Sequence, residues 1–214
     1  MNSDKPKKRK KAIKSQTATF EVIPTEYKSH TFRGRTEARW AVFFDTLGIR
    51  WEYEKEGYEL PSGRYLPDFW LPTQGYWIEI KGKEPTEREV QLGIELSIAT
   101  DSPVFIFFGP IPSPTTREEE ENVPWTLRDG SVVVCFYKIE NGIKKGLHIK
   151  DDFSWCYCDS CGAAAIGRNG DASWACLCDI LGRKELGGCH KWEADHAYKA
   201  AIQYDFEGFK KRGN

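Results

Sequence analysis

Three things are missing from this chain of 214 residues, and each absence removes a class of explanation. No run of about eighteen apolar residues occurs, so no membrane-spanning helix is expected. The basic N-terminus has no apolar segment behind it, which argues against a secretory signal. Seven cysteines without such a signal point to a reducing, intracellular setting: cytoplasmic, or nuclear in a eukaryotic source. There they imply metal binding or free thiols rather than disulfides. Net charge is the third absence, at only −1, but it is unevenly spread. Residues 1–14 carry seven Lys/Arg against one Asp, a net of +6, which leaves −7 on the other 200 residues. A cationic arm on an acidic body commonly touches nucleic acid. The same composition also serves as a solubilising tail or a nuclear-localisation-like run.

What remains suits one medium domain or two small ones. Residues 1–16 read as a disordered basic tail, and Phe20–Ile23 as a short strand before Pro24. Thr36–Leu47 reads as a helix ended by Gly48, with Trp40, Phe43, Phe44 and Leu47 as its apolar stripe. Glu37 lies on the row of Ala41 and Phe44, so it points near the packed face and needs a partner there. Trp51–Leu60 reads as a strand interrupted near Gly57. Pro85-Thr86 opens a second helix over Glu87–Ala99, weakened by Gly93, and Pro103–Phe108 is a continuous apolar run typical of a buried strand. The order helix, three strands, helix, strand predicts an α/β core with a mixed sheet. Composition changes at Gly109, so 110–130 reads as a linker between a core of 17–109 and a C-terminal region of 131–214. In that region Ser131–Glu140 and Gly142–Lys150 read as strands around an Asn141-Gly142 turn. A final helix spans Trp192–Lys211, lined by Ala194, Ala197, Ala201, Tyr204 and Phe209.

The chemistry concentrates in one hairpin. Tyr65–Leu71 and Tyr76–Lys81 flank a Pro-Thr-Gln-Gly turn, and pairing Leu71 with Tyr76 sets Asp68 opposite Glu79. Facing carboxylates repel and cost stability unless a cation lies between them. Strand alternation puts Lys81 on the face of Glu79 and turns Ile78 and Ile80 into the core. The plainer alternative is a pair of surface carboxylates on a solvated hairpin, with Lys81 as a salt-bridge partner contributing about 0–1 kcal/mol.

Pro67-Asp68, ten residues, then Glu79-Ile80-Lys81 resembles the PD-(D/E)XK nuclease superfamily. Over Thr31–Gly109, with a helix carrying Glu37 and then Gly48-Ile-Arg-Trp-Glu-Tyr-Glu54, the chain is most similar to small phage-type members such as the endonuclease I that resolves Holliday junctions. The resemblance implies a restriction-endonuclease-like core. It implies that Asp68, Glu79 and the Ile80 carbonyl bind Mg²⁺ or Mn²⁺, that Lys81 orients the attacking water or stabilises developing charge, and that Glu37 helps hold the metal. Arg33, Arg35 and Lys83 are candidate DNA contacts, Gln91 a candidate helper, and Trp70 and Trp77 read as core. Junction resolvases of this type act as dimers, so a homodimer is a partner to consider.

Cys158-Asp-Ser-Cys161-Gly162 looks like a zinc knuckle, with Cys176 and Cys178 as a second pair fifteen residues on. The second pair is spaced C-x-C rather than C-x-x-C, so Cys156, Cys189 or His190 are alternates. The expectation is a structural Zn²⁺ in a small β-rich C-terminal region, which either staples that region or holds DNA or a protein partner. Scattered thiols and an iron–sulfur cluster are the other readings, and Cys135 reads as simply packed.

The resemblance implies a Mg²⁺-dependent endodeoxyribonuclease, acting on branched or otherwise structured DNA in a phage or mobile-element setting. The alternative from another class is a catalytically silent nuclease-fold adaptor or inhibitor that binds DNA or protein. A third makes the zinc region the functional centre.

Overall fold

The computed structural model describes residues 23–113, 131–157, 164–168 and 192–207. The chain opens with a hairpin, β1 (Thr25–Tyr27) and β2 (His30–Phe32), which no sequence signal announced. Helix α1 (Arg35–Thr46) follows, one residue earlier at each end than expected. Its apolar side chains recur at the helical period, and Trp40, Phe43, Phe44 and Leu47 are all buried. Gly48, at φ +68°, takes the left-handed conformation that ends a helix without a Cβ penalty.

The interruption expected near Gly57 divides Trp51–Leu60 into two short strands. Polar residues separate β3 (Glu52–Tyr53) from β4 (Tyr58–Leu60), and Glu54 turns the chain at φ +44°. Strand β4 pairs only with β5 (Gly63–Tyr65), as a separate two-stranded hairpin. Strand β3 instead joins β6 (Phe69–Leu71), which pairs with β7 (Tyr76–Lys81). The expected meander is therefore β3–β6–β7 with a hairpin inserted into it. Helix α2 (Glu87–Thr100) is started by a capping box: Thr86 accepts from the Glu89 amide while the Glu89 carboxylate accepts from the Thr86 amide. It leads to β8 (Val104–Phe108), parallel to β7.

The composition change at Gly109 marks no break in the sheet. Strand β9 (Ser131–Glu140) pairs with β8 from Val104↔Cys135 to Phe108↔Ser131. Asn141 and Gly142, both at positive φ, turn it into β10 (Ile143–Tyr157), which runs seven residues past the expected end and pairs with β11 (Ala164–Arg168). The result is one mixed seven-stranded sheet, β11-β10-β9-β8-β7-β6-β3. The described residues of 17–109 and of 131–214 thus contribute strands to one sheet. The linker beyond residue 113 and the basic tail lie outside the described residues.

Both faces of this sheet are covered. Phe105, Phe107, Val132, Val134 and Trp155 pack with α1 and with α3 (Trp192–Gln203), whereas Val104, Ile106, Val133 and Cys135 pack under Leu92 and Leu96 of α2. Two-sided burial is why Val104–Phe107 reads as an unbroken apolar run. Trp155 contacts Phe43 and Phe44 edge-on, at ring-centroid separations of 5.5 and 5.8 Å, and so pins β10 to α1. Helix α3 ends at Gln203, short of the expected Lys211. Ala194, Ala197 and Ala201 are buried as the stripe suggested, joined by Tyr198 and Phe206, while Phe209 lies outside the described residues. No helix among the described residues is long and apolar enough to cross a membrane.

Candidate active site

The turn at Pro72–Gly75 sets the register Leu71↔Tyr76, Trp70↔Trp77 and Phe69↔Ile78. The backbone ladder stops there, and two positions further Pro67 has no N–H to donate. Side chains take over. The Asp68 amide donates to Glu79 Oε2 at 3.3 Å, and the Ile80 amide donates to Asp68 Oδ2 at 2.7 Å. These are not carboxylates on a solvated face: Asp68 is 1% and Glu79 3% exposed. Ile78 and Ile80 enter the core under α1, as alternation requires.

Electrostatics at this point are unfavourable to two bare charges. Burial, then the charges of Glu79 and Glu37, push the Asp68 carboxyl well above the usual carboxylate range. Burial also raises Glu79, against the opposing pull of Lys81 and Arg33. Each acid holds one cation. The Lys81 ammonium lies 2.8 Å from Glu79 Oε1 and 3.1 Å from Glu89 Oε1. Burial alone would lower its pKa, but the two glutamates outweigh that and raise it. The Arg33 guanidinium pairs with Asp68 Oδ1, and its Nε lies 2.9 Å from Glu54 Oε1.

Glu37 finds its partners in a hydrogen-bond network. Its Oε2 accepts from the Tyr53 hydroxyl at 2.6 Å and from the Arg33 amide at 3.2 Å. Its charge reaches Asp68, yet no group of three or more His, Cys, Asp or Glu side chains among the described residues is arranged to hold a metal ion. Two carboxylates remain adjacent, and the Ile80 carbonyl leaves β7 along the same edge as its amide, which faces Asp68. This all-oxygen set fits Mg²⁺ or Mn²⁺, whose hard character prefers such donors and keeps several waters.

The other expected site residues are placed elsewhere. Arg35 opens α1 and pairs with Glu207 at 3.0 Å. Lys83 is exposed and lies beyond the last residue of β7, so it does not extend the face of Lys81. Gln91 donates to Glu95 at 2.9 Å, and Glu95 in turn accepts from Ser62. Trp77 is buried and Trp70 half-buried, their rings 4.6 Å apart, as core reading required. Cys135 is a buried free thiol. Cys158, Cys161, Cys176, Cys178, Cys189 and His190 lie outside the described residues, as does the side chain of Cys156.

Four contributors were not foreseen. Tyr53 holds Glu37, Glu54 tethers Arg33, and Glu89 shares Lys81. Tyr65 is buried with its hydroxyl next to Glu79, short of good hydrogen-bond geometry; burial and the charges of Glu79 and Asp68 raise its pKa well above the ordinary value. Of these, only Glu89 carried a local signal, the Thr86-x-x-Glu89 capping box.

No protein-family model, no curated protein and no solved structure matches this chain.

Proposed function

We propose that the chain is a metal-dependent endodeoxyribonuclease of the PD-(D/E)XK type. The observation that carries this reading is the buried Asp68–Glu79 pair at the open end of β6–β7, with Lys81 alongside. A fold under no functional demand would not bury two facing carboxylates, because their desolvation and mutual repulsion both disfavour it. The elements around the pair support the reading: a helix bearing Glu37, the β3–β6–β7 meander, then α2 and β8.

Cutting a phosphodiester requires an activated water, neutralised charge around phosphorus and a stabilised departing 3′-oxygen. A bound Mg²⁺ or Mn²⁺ supplies Lewis acidity and a more acidic water. Asp68 and Glu79 are the residues that would hold it, with the Ile80 carbonyl as a third oxygen. Lys81 orients the attacking water or stabilises developing negative charge, its position kept by Glu79 and Glu89. Glu37, fixed by Tyr53, adds negative potential near Asp68. Arg33 is the cation at the pair most open to solvent and so the one best placed to meet a phosphate.

Branched or otherwise structured DNA is the proposed substrate class, on the resemblance to junction-resolving phage enzymes. Labelled duplex, single-stranded, nicked, flap and four-way-junction DNAs, each with Mg²⁺, Mn²⁺ or EDTA, test it. Metal-dependent cutting of the junction in preference to the duplex is expected. Tight binding of these DNAs without cutting of any would support a silent nuclease-fold adaptor instead.

A further inference from the structure

We infer that Arg33 is an exchangeable counter-ion: its guanidinium occupies Asp68 Oδ1 while no divalent cation is bound, and moves to the phosphate when one enters. The inference rests on the nuclease reading above. It starts from which oxygen is taken. Asp68 Oδ2 accepts from the fixed backbone amide of Ile80 at 2.7 Å, whereas Oδ1 is held by the half-exposed side chain of Arg33, so Oδ1 is the oxygen that an entering cation can take over by displacing its partner. Arginine and metal therefore compete for one acceptor.

The surroundings let the guanidinium leave at little cost. The Arg33 side chain is 54% exposed although its partner Asp68 is 1% exposed, so it reaches in from solvent and can withdraw without opening the core. Withdrawal has a destination, since Nε is already 2.9 Å from the more exposed Glu54. The backbone stays put during the exchange, because the Arg33 amide donates to Glu37 and to the Tyr53 hydroxyl at 3.1 Å. Lys81 is arranged in the same way, with Glu89 as an acceptor outside the acid pair. Once released, the planar fork of a guanidinium matches two oxygens of a phosphate, which an ammonium does not. Metal entry would thus make the phosphate-binding group available, so that the cation and the DNA support each other's binding.

Mn²⁺ binding to the full chain without DNA tests the inference, by titration calorimetry and by the Mn²⁺-induced rise in melting temperature. The proteins are wild type, Arg33→Gln, Arg33→Lys and, as control, Arg35→Gln. Arg33→Gln is expected to bind Mn²⁺ roughly tenfold to a hundredfold more tightly, the factor expected when one charged hydrogen bond no longer competes. Arg35→Gln is expected to match wild type. Arg33→Lys keeps the charge but cannot bridge Asp68 and Glu54, so it is expected to give a smaller gain and carries the test if Arg33→Gln does not fold. Arg33→Gln should also weaken DNA binding in Mn²⁺ and reduce its salt dependence by about one counterion. Unchanged or weaker Mn²⁺ affinity in the Arg33 variants, with wild type binding Mn²⁺, overturns the exchange and leaves the nuclease reading standing. No Mn²⁺ binding by any of the proteins overturns both.

Discussion

Asp68 and Glu79 hold one another through their strands: the Asp68 amide donates to the Glu79 carboxylate, and the Asp68 carboxylate accepts from the amide one residue beyond Glu79. Each acid is thus oriented by the backbone that presents the other. Glu79→Gln keeps an acceptor for the Asp68 amide but removes one charge from the pair. It is expected to fold and to lose the Mn²⁺-induced rise in melting temperature. A full thermal response in that variant would place the cation elsewhere.

Lys81 is assigned to chemistry rather than to metal binding. Lys81→Met should lower kcat for DNA cutting by about 10²–10³, the loss typical of removing one group that stabilises developing charge. Its Mn²⁺ affinity should hold or rise, because Glu79 Oε1 is freed. Parallel loss of affinity and rate would make Lys81 merely structural.

Tyr53 acts through Glu37. Tyr53→Phe deletes the 2.6 Å hydrogen bond to Glu37 and one acceptor of the Arg33 amide. A rate loss of about 10- to 100-fold is expected, as for other residues that orient a ligand from behind. Denaturant unfolding should show a stability loss of about 1–3 kcal/mol.

Gly93 is set by packing, not by helix propensity. A Cβ there would come within 2.9 Å of Cys135 Sγ and 3.4 Å of Ile106 Cδ1. Gly93→Ala should therefore destabilise by about 1–3 kcal/mol, despite a helical gain of up to about 1 kcal/mol. In a Cys135→Ala background the cost should shrink, since the closest atom is gone. Urea unfolding of the four proteins of this cycle measures the coupling directly.

Cys135 supplies a pH signature. Burial pushes its thiol up to about 12, from an ordinary value near 9. A group raised in the folded state contributes stability that is present below its unfolded pKa and is lost as pH rises through its folded pKa. That contribution is expected to decline between about pH 9 and 12. Below pH 9 the native thiol should resist iodoacetamide, and peptide mapping should find Cys135 unlabelled until denaturant is added.

Local pattern and tertiary pairing contributed differently to what could be read in advance. The four-residue turn at Pro72–Gly75 and the period-2 pattern around it were enough to place Asp68 against Glu79, because register within a hairpin follows from loop length. The stripe Trp40, Phe43, Phe44, Leu47 likewise defined the buried face of α1. Partners distant in the chain left no such trace. Arg33 reaches Asp68 across 35 positions, and nothing in the residues around Arg33 distinguishes a counter-ion from a surface charge. The interruption near Gly57 was legible but the partners of the two halves were not, because alternation does not say which strand a segment pairs with. Strand β3 belongs to β6, where the Glu54 amide donates to the Asp68 carbonyl at 2.9 Å. The pairing of β9 with β8 was masked by the Pro- and Glu-rich stretch between them, which reads as a boundary although the sheet continues across it.

The most direct test of the active-site assignment is the end chemistry of cut DNA. A labelled four-way junction would be incubated with wild type, Asp68→Asn and Lys81→Met, each in Mn²⁺ and in EDTA. Hydrolysis at the Asp68–Glu79 site requires 5′-phosphate and 3′-hydroxyl ends from wild type in Mn²⁺, none in EDTA, none above background from Asp68→Asn, and the same ends formed about 10²–10³-fold more slowly by Lys81→Met. Cutting that persists in EDTA or in Asp68→Asn would contradict it.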